Sequence, residues 1–162
     1  MSIEVYRIDD RLVHGQVVVG WGQPLALRFI VLVDDAIVQS DWERELYRMG
    51  TPPEMDLFVE SVESCALRLP EFDSRADPGL LVAPDVATMA RLCSMAPGIR
   101  QVNVGGIHHV AGRVPRLPYV FLSPAEEAGL RALAATGVAI SAQDVPGADA
   151  VPLDDLLARD GS

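Results

Sequence analysis

The segment Arg7-Ile8-Asp9-Asp10-Arg11-Leu12-Val13-His14-Gly15-Gln16 crowds two arginines, two aspartates and a histidine into one short stretch. A neutral imidazole is a nucleophile near pH 7, and a guanidinium three residues earlier can hold two phosphoryl oxygens while staying charged. His14 is therefore a candidate phosphoryl acceptor and Arg11 a candidate clamp. Asp9 or Asp10 is a candidate orienter, accepting from one imidazole nitrogen and leaving the other as nucleophile. The residue types do not decide between the two aspartates. A helix beginning near Gly15 would leave the N–H groups of Gln16, Val17 and Val18 pointing free toward its N-terminus. The backbone of Gly15, Gln16 and Val17 is then a candidate phosphate cradle, and Gly15 has no side chain to block the approach. Taken as residue types alone, the blander reading is the stronger: a loop histidine is commonly a polar surface residue, and Arg–Asp pairs are commonly solvated.

The elements around this segment would place it where ligands bind. Short runs rich in Val, Ile and Leu alternate with segments of helical period, which is the pattern of an α/β domain with a parallel sheet covered by helices on both faces. Strands are expected at about Ile3 to Ile8, Arg28 to Val33, Asp56 to Val59, Gly79 to Ala83, Gln101 to Val104, Tyr119 to Leu122 and Val138 to Ala142, giving a predominantly parallel sheet of about seven strands. Helices are expected over Gly15 to Gln23, Ser40 to Met49, Ser61 to Leu69, Pro84 to Met95 and Pro124 to Ala135. Ser123-Pro124-Ala125-Glu126 is the clearest start, with a capping serine, proline at the first helical position and acids in the first turn. The polar stretch Glu71 to Gly79 reads as a loop, and the tail from Val151 as a short docked helix. The turn carrying His14 follows the first strand, and parallel sheets bind ligands at the carboxyl ends of their strands.

Whole-chain properties narrow the function classes. The chain has 162 residues, 49% of them hydrophobic, which suits one compact domain over residues 1–162. Its formal charge is -10, and its 13 basic residues are all arginines. No basic stripe is present, so a nucleic-acid partner is not expected, whereas a basic protein partner stays open. No apolar run approaches the roughly 20 residues of a membrane span, and Met1-Ser2-Ile3-Glu4 does not open a signal peptide, so a cytoplasmic location is expected. Cys65 and Cys93 lie in helical apolar segments without metal spacing and are expected to be buried and reduced.

Other features carry less. Asn103-Val104-Gly105-Gly106 follows a strand, and its glycines suit either a tight turn or a close backbone approach to a ligand. His108-His109 has no supporting ligand at metal spacing, so no metal is expected and the pair reads as a loop-borne accessory or interface feature. Val33-Asp34-Asp35 ends a strand as ribose-binding acids do, but no glycine-rich phosphate loop accompanies it. Those aspartates instead suit the rim of the His14 site or a helix cap. Trp21 and Trp42 fall in expected helices, where aromatics are mostly core or subunit contacts.

The string Arg-Ile-Asp-Asp-Arg-Leu-Val-His-Gly-Gln-Val, residues 7–17, closely resembles the start of the IIB subunits of the mannose/fructose/sorbose family of the bacterial phosphotransferase system. The resemblance continues through Trp21, Val33-Asp34-Asp35, Met49 with Pro52-Pro53, Asn103-Val104-Gly105-Gly106 and Gln143-Asp144-Val145-Pro146, in the family's order. It implies that His14 takes a phosphoryl group, on Nδ1, from a phosphohistidine of a IIA partner. His14 would then pass it to a sugar bound by the membrane subunits IIC and IID, at the inner face of the membrane. It implies that Arg11 is the phosphate-binding arginine, that Asn103, Gly105 and Gly106 form a second site loop, and that the protein is a homodimer. The stretch from Val110 to Leu117 is where family members vary, which weakens His108 and Arg113 as site residues.

Imidazole-to-imidazole transfer needs positioning and charge stabilisation on the phosphoryl oxygens, and no cofactor. The grip must also be moderate, because a carrier has to release its group. Two rival expectations use the same residues: a regulatory protein switched by phosphorylation of His14 without sugar transport, and a flavodoxin-like domain in which the turn is only a structural anion-binding network.

Overall fold

The computed structural model describes residues 2–160, with Gln16 described by its backbone alone. Its strands are β1 (Ile3–Ile8), β2 (Phe29–Val33), β3 (Asp56–Glu60), β4 (Gly79–Ala83), β5 (Gln101–Val104), β6 (Val114–Leu117), β7 (Val120–Leu122), β8 (Ala139–Ala142) and β9 (Val151–Pro152). Its helices are α1 (Gly15–Gly20), α2 (Asp41–Met49), α3 (Val62–Asp73), α4 (Val86–Met95), α5 (Pro124–Ala135) and α6 (Leu153–Leu157), with one 3-10 turn at Ile37–Gln39.

Seven strands form one sheet in the order β3-β2-β4-β1-β5-β8-β9, parallel throughout except for the β8–β9 pair. The fold is thus α/β with a mainly parallel sheet. Every residue of β2 and β4 is buried, as continuous apolar strands in the middle of a two-faced sheet must be. The strand order explains the layers. From β1 the chain moves toward β2 and β3 in one direction, then returns across the sheet to β4, β5 and β8. Right-handed crossovers put helices on opposite faces when the direction of travel reverses. One face accordingly buries Val17 and Val18 of α1, with Tyr47 of α2 packed on it. The other buries Val62, Cys65 and Leu69 of α3, Val86, Met89 and Leu92 of α4, and Leu130 and Leu133 of α5. The first face over β1, β5 and β8 is left as a groove of about 700 Å³, lined among others by Val5, Trp21, Asn103 and Ser141.

Capping chemistry sets the helix starts. Ser61 and Ser123 each form a reciprocal capping box, with Ser64 and Glu126 respectively, and Asp85 accepts from the Thr88 N–H at the head of α4. Asp34 accepts from the N–H groups of Ala36 and Ile37, and Asp35 from that of Val62 at the head of α3, so the Asp34-Asp35 pair has the capping role.

Four expectations need correction. Tyr119 to Leu122 does not join the main sheet: β7 pairs antiparallel with β6 in a separate hairpin, and β6, carrying Pro115 and Arg116, lacks the apolar run that marks a strand in sequence. The seventh place is taken by β9, two residues long, immediately before the expected tail helix. Helix α1 stops at Gly20 instead of Gln23, and Trp21 lies in the turns that follow. At Gly22 a Cβ would stand 2.0 Å from the Val18 carbonyl oxygen. Helix α3 runs on through Pro70 to Asp73, because Phe72 is buried on the same core face as Leu69.

Candidate functional site

The turn Asp9 to His14 leaves the carboxyl end of β1, which is flanked by β4 and β5 at the point where the strand order reverses. That crevice is where open α/β sheets bind ligands. The Asp9 N–H donates to the Ala83 carbonyl at the end of β4 (3.0 Å), the Gly105 N–H to Ile8 (2.7 Å), and the Asp10 N–H to Gly106 (2.8 Å). The His14 turn and the Gly105-Gly106 loop are therefore laced together. Leu12 closes the turn at φ 56°, a left-handed conformation that costs a non-glycine residue about 1–2 kcal/mol; burial of its side chain offsets that strain.

An ion triad, with Arg7 and Asp9 buried and Arg11 partly exposed, underlies the turn. Asp9 is fully buried and accepts four hydrogen bonds: from Arg11 Nε (2.8 Å) and the Arg11 N–H (3.1 Å) on Oδ1, and from Arg11 Nη2 (2.6 Å) and Arg7 Nε (3.2 Å) on Oδ2. Burial alone would raise its pKa, but the bonds from Arg11 and the charges of Arg7 and Arg11 outweigh it and hold the carboxyl below its ordinary value. Donating to Asp9 in turn raises the Arg11 pKa. Arg7, also fully buried, donates Nη1 to the Gln143 carbonyl (2.8 Å) and to Asn103 Oδ1, and Nη2 to the Asp144 carbonyl (3.1 Å). Its guanidinium lies 4.7 Å from the Trp21 ring centre, and Trp21 Nε1 donates to the same Asp144 carbonyl at 3.0 Å. Burial pulls the Arg7 pKa down despite Asp9.

This arrangement revises the candidate roles. Asp9 does not read as the imidazole orienter, because all four of its bonds go to arginines; it grips the Arg11 guanidinium with both oxygens. Asp10 is engaged by His108, through the His108 N–H (2.8 Å) and His108 Nδ1. Arg113 secures the same loop by donating to the His108 carbonyl (2.8 Å) and pairing with Glu126. His109 meets the Phe121 ring edge-on at 5.5 Å. His14 is exposed at the head of α1, and its carbonyl accepts from the Val18 N–H at 2.8 Å. Val18 is thus already paired, and the candidate amides at that helix start are those of Gly15, Gln16 and Val17. Sequence reasoning missed Arg7 as a site residue. Its signal was a charge on a strand that is otherwise apolar through Val5, Tyr6 and Ile8.

The two glycines of the second loop make room for the arginines. A Cβ on Gly105 would lie 2.4 Å from the Arg7 guanidinium carbon, and one on Gly106 would lie 2.9 Å from Arg11 Nε. Side-chain ends usually yield to such an intrusion, but Arg7 is fully buried and bonded at every nitrogen. Gly105→Ala is expected to destabilise the fold by about 1–3 kcal/mol, measured by urea unfolding. A change under about 0.5 kcal/mol, the size of an ordinary surface substitution, would mean that Arg7 is not held as described.

Among the described residues, no group of three or more His, Cys, Asp or Glu side chains is placed to hold a metal, and no helix is long and apolar enough to cross a membrane.

Comparison with known proteins gives the family and the fold. Residues 3–162 match the family described as the PTS system sorbose subfamily IIB component. The chain is 30% identical over 160 residues to the sorbose-specific EIIB component of Klebsiella pneumoniae, covering 97% of this chain and 96% of that one. It is 29% identical over 148 residues to the N-acetylgalactosamine-specific phosphotransferase enzyme IIB component 1 of Escherichia coli K12, covering 90% and 92%. The crystal structure of the IIBSor domain of the Klebsiella pneumoniae sorbose permease superimposes with a TM-score of 0.86 at 26% identity, over 97% of each chain.

Proposed function

The chain belongs to the sorbose-subfamily IIB components of the phosphotransferase system, and from that premise we propose that His14 is the residue that carries its phosphoryl group. As a IIB component the protein is a sugar phosphotransferase of an uptake system, working between a IIA phosphodonor and the IIC and IID membrane subunits. The observation that carries the assignment to His14 is its position. It is exposed at the carboxyl end of the central strand β1, on the turn whose Arg11 is gripped by a buried carboxylate.

In the forward step the P–N bond to the IIA imidazole breaks, and that ring keeps the electron pair. A P–N bond forms to an unprotonated nitrogen of His14. In a loose transition state the charge lies on the three phosphoryl oxygens. Arg11, aligned in advance by Asp9, and the amides of Gly15, Gln16 and Val17 are the groups that stabilise that charge without reorganising. Onward transfer repeats the exchange with a sugar hydroxyl as acceptor, which yields its proton as the new bond forms. The fixed guanidinium sharpens the transition state without requiring a deep ground-state well, which suits a carrier.

We further infer that residues 1–162 form one IIB domain, located in the cytoplasm and meeting IIC and IID at the inner face of the membrane. The family resemblance also favours a homodimer, for which the uncovered face over β1, β5 and β8 is a candidate interface. Sedimentation at micromolar concentration checks the dimer, and a monomer there would remove it.

The functional test is intact-mass analysis after incubation with phosphoenolpyruvate, the general phosphotransferase proteins and a matching IIA. One acid-labile phosphoryl addition is expected. No addition to a folded chain, with the IIA itself phosphorylated and a second IIA equally inactive, would sink the proposal.

A further inference from the structure

Helix α2 carries three exposed large apolar side chains on an otherwise mostly charged segment. None of its nine residues is buried. Trp42 is 70% exposed, Leu46 54% and Met49 76%, and their spacing of four and then three residues puts all three on one stripe of the helix. A contiguous exposed apolar stripe rimmed by polar residues is the kind of surface that marks an interaction site, as scattered exposed side chains are not.

The stripe is joined to the phosphoryl site. Tyr47, one residue from Leu46 and on the inner side of α2, packs against the cluster that contains Leu12, Val13 and Val17, on either side of His14. At the end of the helix, a Cβ on Gly50 would lie 4.0 Å from the Val13 carbonyl oxygen. Met49 is thus next in sequence to a residue that borders the His14 turn. Any donor that brings a phosphohistidine to His14 must cover the protein surface around that turn, and α2 is part of it.

We propose that the Trp42–Leu46–Met49 face of α2 is a docking surface for the IIA phosphodonor. The inference rests on the reading of His14 as the phosphoryl acceptor. Charge favours a soluble protein occupant over a membrane surface. Asp41, Glu43 and Glu45 outnumber Arg44 and Arg48 on this helix, and the chain as a whole carries -10, so an anionic bilayer would be repelled. An apolar stripe centred on a tryptophan, with mixed charges at its rim, has the composition of a transient protein interface with a hot spot.

The test compares wild type with Trp42→Ala, Met49→Ala and the double variant, using a IIA that phosphorylates the wild type. Phosphoryl transfer from phospho-IIA is measured below saturation, beside phosphorylation by phosphoramidate, a small donor that needs no docking face. Trp42→Ala is expected to lower the transfer rate from phospho-IIA about tenfold or more, with the double variant lower still and the phosphoramidate rate within about twofold of wild type. Leu67→Ala, which removes a side chain 83% exposed on α3, should leave both rates unchanged. An unchanged phospho-IIA rate in the double variant overturns the proposal. So does a variant that keeps that rate but sediments as a smaller species, which would make α2 a contact between copies, or one that loses only sugar phosphorylation by IIC/IID vesicles. If wild-type His14 takes no phosphoryl group from phosphoramidate or from any IIA, the acceptor assignment itself has failed, and the docking proposal with it.

Discussion

His14→Ala is expected to abolish phosphoenolpyruvate-dependent phosphorylation of the chain, a loss of roughly a thousandfold or more, while leaving its unfolding free energy within about 0.5 kcal/mol of wild type. Both halves of this expectation follow from position. The His14 side chain is exposed, so its removal opens no cavity. The His14 carbonyl, which accepts from the Val18 N–H at the start of α1, is retained in alanine. The chemistry, by contrast, has no substitute at that point in the turn. The sequence contains 3 histidines, and the other two are engaged elsewhere: His108 Nδ1 with the Asp10 carboxylate, and His109 edge-on to Phe121.

The pair of measurements separates mechanism from folding. Loss of phosphorylation with an unchanged urea midpoint identifies His14 as the acceptor. Phosphorylation that persists in His14→Ala would overturn the assignment and point to His108, which shares Asp10 with the same turn, as the next residue to replace. Loss of both phosphorylation and stability would mean that the His14 ring supports the turn itself, and a glutamine at 14 would then show whether a polar side chain of similar reach restores the fold without the chemistry.

The candidate site was legible in sequence to the extent that its residues are contiguous. One turn after one strand carries Asp9, Asp10, Arg11 and His14, and the strand that positions it, β1, runs over the range its apolar pattern indicates. Strands β4 and β5 and helix α5 were equally legible, because a continuous buried run, a period-two alternation and a capping box, respectively, mark them in their own residues. Roles that depend on residues distant in sequence were not legible. Asp9 and Asp10 are adjacent and chemically identical, yet one faces two arginines and the other a histidine 98 positions away. Arg7 takes its meaning from carbonyls at Gln143 and Asp144 and from the Trp21 ring. The Gly105-Gly106 pair reads as a turn until the guanidinium groups that need the space are seen. Strand β6 and the two-residue β9 were missed, and β7 was read as a strand but assigned to the main sheet, for a different reason: pairing partners, and not residue periodicity, decide whether so short a segment becomes a strand and which sheet it joins.

Its pairing with Arg7 and Arg11 makes Asp9 consequential for stability. Asp9→Ala is expected to cost about 3–5 kcal/mol, the range found when one member of a buried ion cluster is removed. Arg7, fully buried, would keep its neutral acceptors at Asn103, Gln143 and Asp144 but lose its counter-charge, and Arg11 would lose both oxygens that align it. Because much of that cost is an orphaned charge, it should shrink when the charge is removed as well: Asp9→Ala should destabilise an Arg7→Met background by clearly less than it does the wild type. Equal costs in the two backgrounds would show that Asp9 acts through the backbone of the turn and not through Arg7. Acid supplies a second check. The folded-state pKa of Asp9 lies below its ordinary value, so the carboxylate contributes fully above the unfolded-state pKa of about 3.9. Its contribution is lost as the pH falls through the lower folded value. The stability gap between wild type and Asp9→Asn, constant from pH 7 to about 5, should therefore narrow below about pH 4. A gap that instead narrowed between pH 7 and 5 would mean that burial, not the arginines, dominates the Asp9 carboxyl, and that Arg11 is not held by an ionised partner at the pH where the carrier works.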